Sequence, residues 1–437
     1  MLQMLSFLSS SKQQLAAAKE MFAHVAEALD SRVSVELWDG SRIPLGRNVD
    51  PNFYISIRGP GTIGTLLRRP TLETLVRQYA TGQIEFHGGD LIDFYKAARV
   101  ENSKAKLKQL SKGWLLRKTL PFLVAPAEKV AVEKAFAGPR NNRDYIQFHY
   151  DLGNEFYQLF LDPLMQYSCA YFTDWNNTLE QAQHDKLEMT CRKLRLEPGE
   201  RLLDIGCGWG GLICHAAQNH GVSAHGVTLS QTQLEFTQEK IRRLGLEDRV
   251  TVELRDYSTL EGTYDKIASI GMYEHVGIKN YPTYFGKIWS LLRDRGILLN
   301  HGITRPARVS GLRVQKERPE QRFLTKYIFP GGELDHIGHT CESLEACRFE
   351  VHDCENWREH YSLTLRHWCQ RLHERREEAI KLVGPERYRL WAAYLAGCSF
   401  GFHDGSLRIF QVVASKLATR GRAALPPTRA DLYRRAA

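Results

Sequence analysis

A glycine-rich loop in the middle of the sequence has the spacing of a nucleotide-binding turn. Gly206, Gly208 and Gly210 follow a short apolar run at 201–205 and precede a helical pattern. Glycines at such a turn let the backbone approach a ligand closely. The loop alone does not identify its ligand, because NAD, FAD and S-adenosylmethionine (SAM) are all bound at turns of this kind.

Acidic residues near the loop discriminate between these cofactors. A dinucleotide site needs an Asp or Glu about 20 residues beyond the loop to hold the ribose, but residues 226–230 contain no acid. Asp204 precedes the loop, where it can orient the methionine part of SAM or cap a helix. Asp256 follows the third strand pattern, where a carboxylate can accept from an adenine amino group. This arrangement favours a class I SAM-dependent methyltransferase.

Alternating strand and helix patterns predict the elements that carry these residues. Strand patterns occur at 201–205, 223–229, 250–254, 264–270 and 296–303, and helical patterns at 212–219, 231–244 and 284–292. Such alternation predicts an α/β fold with a parallel, doubly wound (Rossmann-like) sheet. The first hundred residues differ, with helices predicted at 12–29 and 72–80, strands at 33–38 and 53–57, and a further apolar run at 43–45 after the turn signal Asp39-Gly40. We therefore predict a small N-terminal α+β domain (1–103), a basic linker (104–144) and a catalytic domain (145–437).

The start of the linker is strongly basic. Residues 104–118 contain six Lys or Arg and no acid, together with Trp114, Leu115 and Leu116. Such a segment suits the headgroup layer of an anionic membrane, where each basic residue contributes about 1 kcal/mol. A solvated linker helix is the alternative.

The composition is that of a globular protein. The 437 residues include 59 Lys or Arg against 50 Asp or Glu, and the net charge of +9 indicates an anionic partner, either a phospholipid surface or a nucleic acid. No apolar run approaches the length of a membrane span, and the N-terminus lacks the features of a secretory signal. Nine scattered cysteines without a Cys-x-x-Cys pair predict neither a disulfide framework nor a metal site. We expect a cytoplasmic protein.

Seven ordered segments resemble one family. These are 148–154 (FHYDLGN), 165–172 (MQYSCAYF), 203–211 (LDIGCGWGG), 226–230 (GVTLS), 269–277 (SIGMYEHVG), 326–334 (KYIFPGGEL) and 363–368 (LTLRHW). In this order they resemble the cyclopropane-fatty-acyl-phospholipid synthases and, more distantly, the mycolic acid cyclopropane synthases. The resemblance covers about 145–416, and the preceding domain fits the lipid-associated domain of the phospholipid-type enzymes.

The resemblance implies a reaction and its partners. SAM would donate a methyl group to a cis double bond of a membrane phospholipid acyl chain, and the resulting carbocation would lose a proton to bound bicarbonate and close to a cyclopropane. Related enzymes leave a methylene or a methyl branch instead. The resemblance further implies peripheral contact with the anionic inner face of the cell membrane, a homodimer, and no nucleic-acid partner.

The resemblance also implies site residues. The bicarbonate pocket would comprise Cys169, Glu274, His301, Ile303 and Tyr361. The SAM site would comprise Tyr167, Ser168, Asp204, Gly206, Cys207, Gly208, Thr228, Gln233, Asp256 and Tyr257. Cys398 matches a cysteine often assigned to the family's active site, although no step needs a thiolate and a buried structural cysteine is the better physical interpretation.

Aromatic residues near these segments are candidates for a second task. Their faces can stabilise a transient cation, although core packing explains each equally well. The candidates are Tyr167, Tyr171, Phe172, Tyr273 and Phe329.

Overall fold

The computed structural model describes residues 11–108, 110, 112–123, 152–307, 333–418, 422–423 and 425–433. These residues divide into two compact units. The first comprises described residues within Met1–Ala137 and Cys369–Gly397, and the second those within Gly138–Lys316, Thr325–Trp368 and Cys398–Ala437. The sequence-based boundaries at 103/104 and 144/145 stay a prediction, to which the structure adds that Cys369–Gly397 belongs with the first unit.

The first unit contains a four-stranded sheet in the order β2-β1-β3-β4. Its elements are α1 (Ser11–Leu29), β1 (Ser34–Glu36), β2 (Arg42–Pro44), β3 (Tyr54–Ile57), α2 (Pro60–Arg68), α3 (Leu72–Ala80), β4 (Ile84–His87), α4 (Leu91–Ala98), α5 (Ser103–Lys108) and α6 (Lys112–Leu123). The two predicted helices and the strands predicted at 33–38 and 53–57 are confirmed to within two residues; β2 overlaps the apolar run at 43–45, and β4 is a strand that the sequence pattern did not predict. The structure adds α2, which has a proline in its first turn, and α4, whose first turn donates two N–H bonds to the Asp90 carboxylate.

The second unit contains a seven-stranded sheet in the order β10-β11-β9-β8-β5-β6-β7. Its strands are β5 (Arg201–Ile205), β6 (Ser223–Thr228), β7 (Val250–Leu254), β8 (Tyr264–Ile270), β9 (Leu292–Thr304), β10 (Phe349–Asn356) and β11 (Arg408–Lys416). Strands β5 to β9 are parallel, as predicted. The unpredicted strand β11 runs antiparallel to both β9 and β10.

Helices cover both faces of this sheet. The chain continues through α7 (Asn154–Gln158), α8 (Leu179–Leu194), α9 (Gly211–His220), α10 (Gln231–Leu244), α11 (Tyr281–Leu291), α12 (Ile337–Ala346), α13 (Arg358–Glu374), α14 (Arg376–Val383), α15 (Pro385–His403) and α16 (Ala430–Tyr433), of which α14 and the parts of α13 and α15 within Cys369–Gly397 belong to the first unit. Leu202 packs with residues of α8, α9 and α10, whereas the next residue, Leu203, packs with α11 and α12. Successive strand side chains point to opposite faces, so one apolar strand serves two cores. Within the described part of the chain, no helix combines the length and apolar character needed to cross a bilayer.

The glycine loop joins β5 to α9 in a crowded space. Gly210 is the N-cap of α9 and has a φ of 74°. A Cβ atom there would lie 2.4 Å from the Thr237 Cγ2 atom on α10. The Thr237 hydroxyl also donates to the Gly208 carbonyl oxygen over 3.3 Å. Glycine at 210 therefore provides both a left-handed turn and close approach of α10 to the loop.

We expect Gly210→Ala to destabilise the protein more than Gly245→Ala. Both glycines have positive φ, which costs alanine about 1–2 kcal/mol. Only Gly210 has a neighbour within 4 Å of the added methyl group, and the overlap with Thr237 should add about 1–3 kcal/mol. Thermal unfolding of the two variants measures the difference, and equal losses would contradict tight packing of α10 against the loop.

Candidate cofactor and catalytic site

A cavity of about 360 Å³ lies where the parallel strands of the second unit end. In open α/β sheets this edge is where ligands bind. The cavity is lined by all ten residues that the sequence predicts for SAM: Tyr167, Ser168, Asp204, Gly206, Cys207, Gly208, Thr228, Gln233, Asp256 and Tyr257. The fold therefore brings the predicted cofactor residues together, and their individual roles in binding stay a prediction.

Hydrogen bonds within the chain orient part of this lining. The Thr228 hydroxyl donates to the Gln233 Oε1 atom over 2.8 Å, and the Ser230 hydroxyl oxygen accepts from the Gln233 backbone N–H at the start of α10. Asp256 accepts from the Ser258 N–H over 2.8 Å and caps a short 3-10 helix. These bonds fix the segments that follow the carboxyl ends of β6 and β7 at the cavity wall.

Asp204 lies in the cavity wall as a buried carboxyl group. Burial raises its pKa to about 7, although Lys186 acts in the opposite direction. Its Oδ1 atom has no hydrogen-bond partner among the described residues. The alternative role of this residue as a helix cap is wrong, because Gly210 is the N-cap of α9. Asp204 thus offers an oxygen to whatever occupies the cavity.

Lys186 is a cavity residue that the sequence interpretation missed. Its side chain on α8 is buried, and its ammonium group donates to Gln166 Oε1 and, over 3.1 Å, to the Ser168 hydroxyl. Burial lowers its pKa to about 8. The available signal was the spacing of Lys186 and Lys193, because residues seven apart share one face of a helix. Lys186 thereby holds the segment that contains Tyr167 and Ser168.

Glu274 and Ile303 are joined directly. The Glu274 Oε1 atom accepts from the Ile303 backbone N–H over 2.7 Å, whereas Oε2 has no partner in the described part of the chain. The Tyr273 hydroxyl donates to the Ile303 carbonyl oxygen over 3.1 Å. Burial raises the pKa of Glu274 to about 7, against a smaller lowering by the Ile303 N–H. Near neutral pH this carboxyl can therefore act as either donor or acceptor.

His301 lies two residues before Ile303 on β9. Its Nδ1 atom is 3.1 Å from the Gln411 amide nitrogen, and its Nε2 atom has no partner among the described residues. Burial, followed by the charges of Lys186 and Lys193, holds its pKa well below the usual range, so the ring is neutral. The backbone N–H of Gly271 in the cavity wall donates to the His301 carbonyl oxygen over 2.8 Å.

Cys169 and Tyr361 meet around Trp357. The Cys169 thiol is 3.7 Å from the Trp357 carbonyl oxygen, which also accepts from the Tyr361 backbone N–H over 3.0 Å. The Trp357 ring lies edge-on to His301 with centroids 5.1 Å apart. Burial raises the pKa of the Cys169 thiol well above its usual range, so the group stays protonated. Cys169, His301 and Tyr361 are thus each in contact with Trp357, and Glu274 is bonded to Ile303, two residues from His301 on β9.

Cys398 is placed differently from the other predicted catalytic residues. It is buried in α15, and the next residue, Ser399, exchanges two hydrogen bonds with Ser362 of α13. Phe402 of the same helix packs on Tyr361 with ring centroids 4.6 Å apart. The helix of Cys398 thus supports Tyr361, which favours a structural role for this cysteine.

The four described candidate aromatics all have ring neighbours. Tyr167 packs on Trp368 at 5.3 Å, Tyr171 on Trp357 at 4.7 Å, Phe172 on His367 at 5.8 Å, and Tyr273 on Tyr281 at 5.6 Å. Packing is therefore part of the role of each, and cation stabilisation stays a prediction. Phe329 and the segments 148–151 and 326–332 lie outside the described residues.

Three side chains of types that can bind a metal ion lie close together on α8 and α9. Ligand atoms of Cys191, His215 and His220 lie within 4.8 Å of one another. The Asn219 amide nitrogen donates to the His215 carbonyl oxygen and faces its Nδ1 atom at 3.2 Å. His215 Nε2 then carries the ring proton and faces Glu188 at 3.4 Å. Because a metal would need the lone pair of that nitrogen, we interpret the cluster as hydrogen-bonded.

Comparison with known sequences places the chain in a family of lipid-modifying enzymes. The family model "Mycolic acid cyclopropane synthetase" matches residues 138–412. A "Probable fatty acid methyltransferase" of Pseudomonas putida is 38% identical over 95% of this chain and 100% of its own length. The "Cyclopropane-fatty-acyl-phospholipid synthase" of Escherichia coli K12 is 34% identical over 94% of this chain and 98% of its own length.

Solved structures of cyclopropane synthases share the fold of the second unit. The cyclopropane synthase MmaA2 of Mycobacterium tuberculosis superimposes with a TM-score of 0.60 at 33% identity, covering 64% of this chain and 99% of that protein. The mycolic acid cyclopropane synthase CmaA1, complexed with SAH and CTAB, gives the same values. The predicted class I methyltransferase fold is therefore confirmed.

Glu274→Gln should change how stability depends on pH. An unfolded glutamate ionises near pH 4.5, whereas buried Glu274 keeps its proton to about pH 7. The wild type therefore loses stability relative to the glutamine variant as the pH rises between these values, by roughly 3 kcal/mol. Denaturant unfolding across this range measures the difference, with Glu261→Gln as an exposed-carboxylate control. A constant difference between wild type and Glu274→Gln would contradict the raised pKa.

Proposed function

Since this chain belongs to the mycolic acid cyclopropane synthetase family, we propose that it transfers a methylene unit from SAM to cis double bonds in membrane phospholipid acyl chains. The family and the relatives identify a SAM-dependent methyltransferase that acts on lipid chains. The more specific proposal, that the lipid substrate is a phospholipid, is supported by the E. coli synthase, which aligns over almost its full length. Use of SAM agrees with the CmaA1 complex, because SAH is what remains of SAM after methyl transfer.

One observation carries this proposal. The cavity lined by the ten predicted SAM residues adjoins a buried group in which Glu274 Oε2 and His301 Nε2 lack partners among the described residues. Ser168 of the cavity wall precedes Cys169, and His275 of the wall follows Glu274. The backbone of Glu274 is therefore continuous with the cavity wall, and His301 pairs with the wall residue Ile270; a hydrogen-bonding ligand would satisfy both unpartnered atoms.

The chemistry assigns a separate task to each part of the site. The glycine loop would hold SAM so that its sulfonium methyl carbon faces the alkene. As the new C–C bond forms, the C–S bond breaks and SAH leaves, giving a carbocation. Loss of a proton from the transferred carbon then allows the last C–C bond to close the ring. Bicarbonate, when bound, would supply the weak base for this proton.

The residues present fit bicarbonate. The His301 N–H can donate to it, and Glu274, with a pKa of about 7, can donate or accept. Ile303 contributes indirectly, because its N–H is already bound by Glu274. Burial also protects the carbocation from Cys169, because this residue is kept as a thiol and not as the strongly nucleophilic thiolate that would trap the cation.

A methylene- or methyl-branched product is the second candidate. The P. putida relative described as a fatty acid methyltransferase has the higher identity of the two full-length relatives, 38% against 34%. Both outcomes begin with the same methyl transfer to the double bond. A methylene product forms if a 1,2-hydride shift moves the cation to the methyl-bearing carbon before the methyl group loses its proton, and a methyl-branched alkene forms if a chain carbon loses the proton.

Incubation of the full chain with SAM and unsaturated phospholipid vesicles should add one CH₂ to the acyl esters. Mass spectrometry measures the gain, and proton NMR should show upfield ring protons. Signals of vinylidene or branch-methyl protons in place of the ring protons would instead indicate the methylene- or methyl-branched product. SAM binding without any product would contradict phospholipid as the substrate.

Glu274→Gln should lower kcat by about a hundredfold or more, the usual contribution of an acid–base group. SAM affinity, measured by calorimetry, should be unchanged because Glu274 does not line the cavity. The exposed Glu261→Gln serves as the matched control. Loss of SAM binding together with activity would argue that Glu274 supports the fold and takes no part in proton transfer.

The basic helices α5 and α6 are the proposed membrane contact. Two residues of α6 already contact α1 of the same unit. The Trp114 ring packs on His24 with ring centroids 4.5 Å apart, and Lys118 forms an ion pair with Glu20. Arg117 is exposed on α6, as are Leu120 and Leu123, at 46% and 39% exposure. A cation and two leucines on one helix suit the headgroup layer of a membrane better than bulk water. The homodimer and the absence of a nucleic-acid partner stay predictions.

Lys106→Glu with Arg117→Glu should weaken binding to anionic vesicles, because two attractive charges become repulsive. The matched control is Arg242→Glu with Arg243→Glu, an equal charge change on the exposed part of α10. Vesicle sedimentation at physiological salt compares the two variants. Equal weakening would indicate a response to net charge alone and contradict a specific role of α5 and α6.

A further inference from the structure

A row of polar side chains crosses three strands beside His301. Glu355 on β10 is directly opposite Gln411 on β11, and Gln411 is directly opposite His301 on β9. Directly opposed residues of antiparallel strands point to the same face of a sheet. The three side chains therefore form one line, although they come from distant parts of the sequence.

Lys193 of α8 lies over this row. Its ammonium group donates to Glu355 Oε2 and, over 2.7 Å, to Gln411 Oε1. The ammonium also lies 5.0 Å from the centre of the Trp357 ring, which is edge-on to His301. The side chains of Lys193 and Gln411 are both fully buried. A hydrogen-bonded chain thus runs from Glu355 through Lys193 and Gln411 to His301.

The chain has a fixed direction. An ammonium group can only donate, so Lys193 holds the carbonyl end of the Gln411 amide. The NH₂ end must then face His301, where its nitrogen lies 3.1 Å from Nδ1. A donor facing Nδ1 requires a lone pair on that atom. Because the ring is neutral, its single proton must reside on Nε2.

We propose that Lys193 and Gln411 are positioning residues that hold His301 as the Nε2–H tautomer, with this N–H as the donor to an oxyanion ligand. The ligand class is a small oxyanion such as bicarbonate, so the ligand part of the inference rests on the proposed function. The tautomer part rests on the hydrogen bonds alone. The opposite tautomer would set two N–H donors face to face at Nδ1 and leave Nε2 as an acceptor, which repels an anion.

The ion pair in this row is better explained by specificity than by stability. The free energy lost when a Lys–Glu pair is removed from water offsets much of the attraction between the two charges, and apolar side chains often stabilise a core equally well. A donor-only group at position 193, in contrast, dictates the orientation of the Gln411 amide. The apolar Trp357 ring beside both groups excludes water that could otherwise satisfy either tautomer.

Histidine-selective ¹⁵N NMR of the ligand-free protein tests the tautomer directly. The wild type should show a protonated Nε2 and an unprotonated Nδ1 for His301, assigned by the signal lost in His301→Gln. Gln411→Glu keeps an oxygen for Lys193 but presents an acceptor to the ring, so Nδ1 should become protonated. A protonated Nδ1 in the wild type, or an unprotonated Nδ1 in Gln411→Glu, would overturn the proposal.

Ser415→Ala is the matched control on the same strand. Ser415 makes a cross-strand hydrogen bond to His352 Nε2 over 2.8 Å, so its loss perturbs β11 without touching the row. The His301 signals should not move in this variant. A change in the His301 tautomer on Ser415→Ala would show that general strain in β11 sets the tautomer and would contradict the role of Gln411.

Gln411→Met tests the ligand part of the inference. This substitution removes the amide donor that faces His301 Nδ1 and selects the tautomer. The bicarbonate concentration for half-maximal activity should therefore rise by about tenfold, the factor for one weakened hydrogen bond. SAM affinity should be retained, because Gln411 does not line the cofactor cavity. An unchanged bicarbonate requirement would overturn the oxyanion role. If the wild-type tautomer is as expected but no lipid product forms under any condition, the proposed function fails and the tautomer assignment stands.

Discussion

Burial of ionisable groups is the constraint on which the rest of the site depends. Asp204, Glu274 and His301 are all more than nine-tenths inaccessible to water, and desolvation is the largest cause of each pKa shift. A carbocation reaction requires such a place, because water or an exposed anion would capture the cation. The same burial leaves polar atoms without partners, and such atoms are favourable only if a ligand satisfies them.

One face of α8 serves both halves of the site. Lys186 and Lys193 are seven residues apart, close to two helical turns, so their buried ammonium groups project from the same side. Lys186 orients Gln166 and Ser168 at the cofactor cavity, whereas Lys193 orients Gln411 beside His301. Because a helix is rigid over this length, α8 fixes the distance between the lysine at the cofactor cavity and the lysine beside Gln411.

The two antiparallel strands extend the fold in a way that matters for chemistry. Five parallel strands suffice to form the cofactor cavity at their carboxyl ends. Placing β11 beside β9 covers the edge that would otherwise leave His301 accessible, and its register sets Gln411 opposite that residue. The added strands thus provide the groups around the histidine, while the parallel strands provide the groups around the cofactor.

The sequence by itself determined the five parallel strands, the glycine turn and the residues around the cavity, because local apolar runs, turn glycines and ordered motifs encode them within short segments. The resemblance of the motifs to one family also predicted catalytic roles for Glu274 and His301, and these roles stay a prediction. Only the tertiary structure decided that Lys186 and Lys193 are buried, that Asp204 does not cap a helix, and that β10 and β11 exist. Gln411 meets His301 across 110 residues of chain, and that contact follows from strand register. Register and desolvation depend on long-range packing, which no local pattern in the sequence specifies.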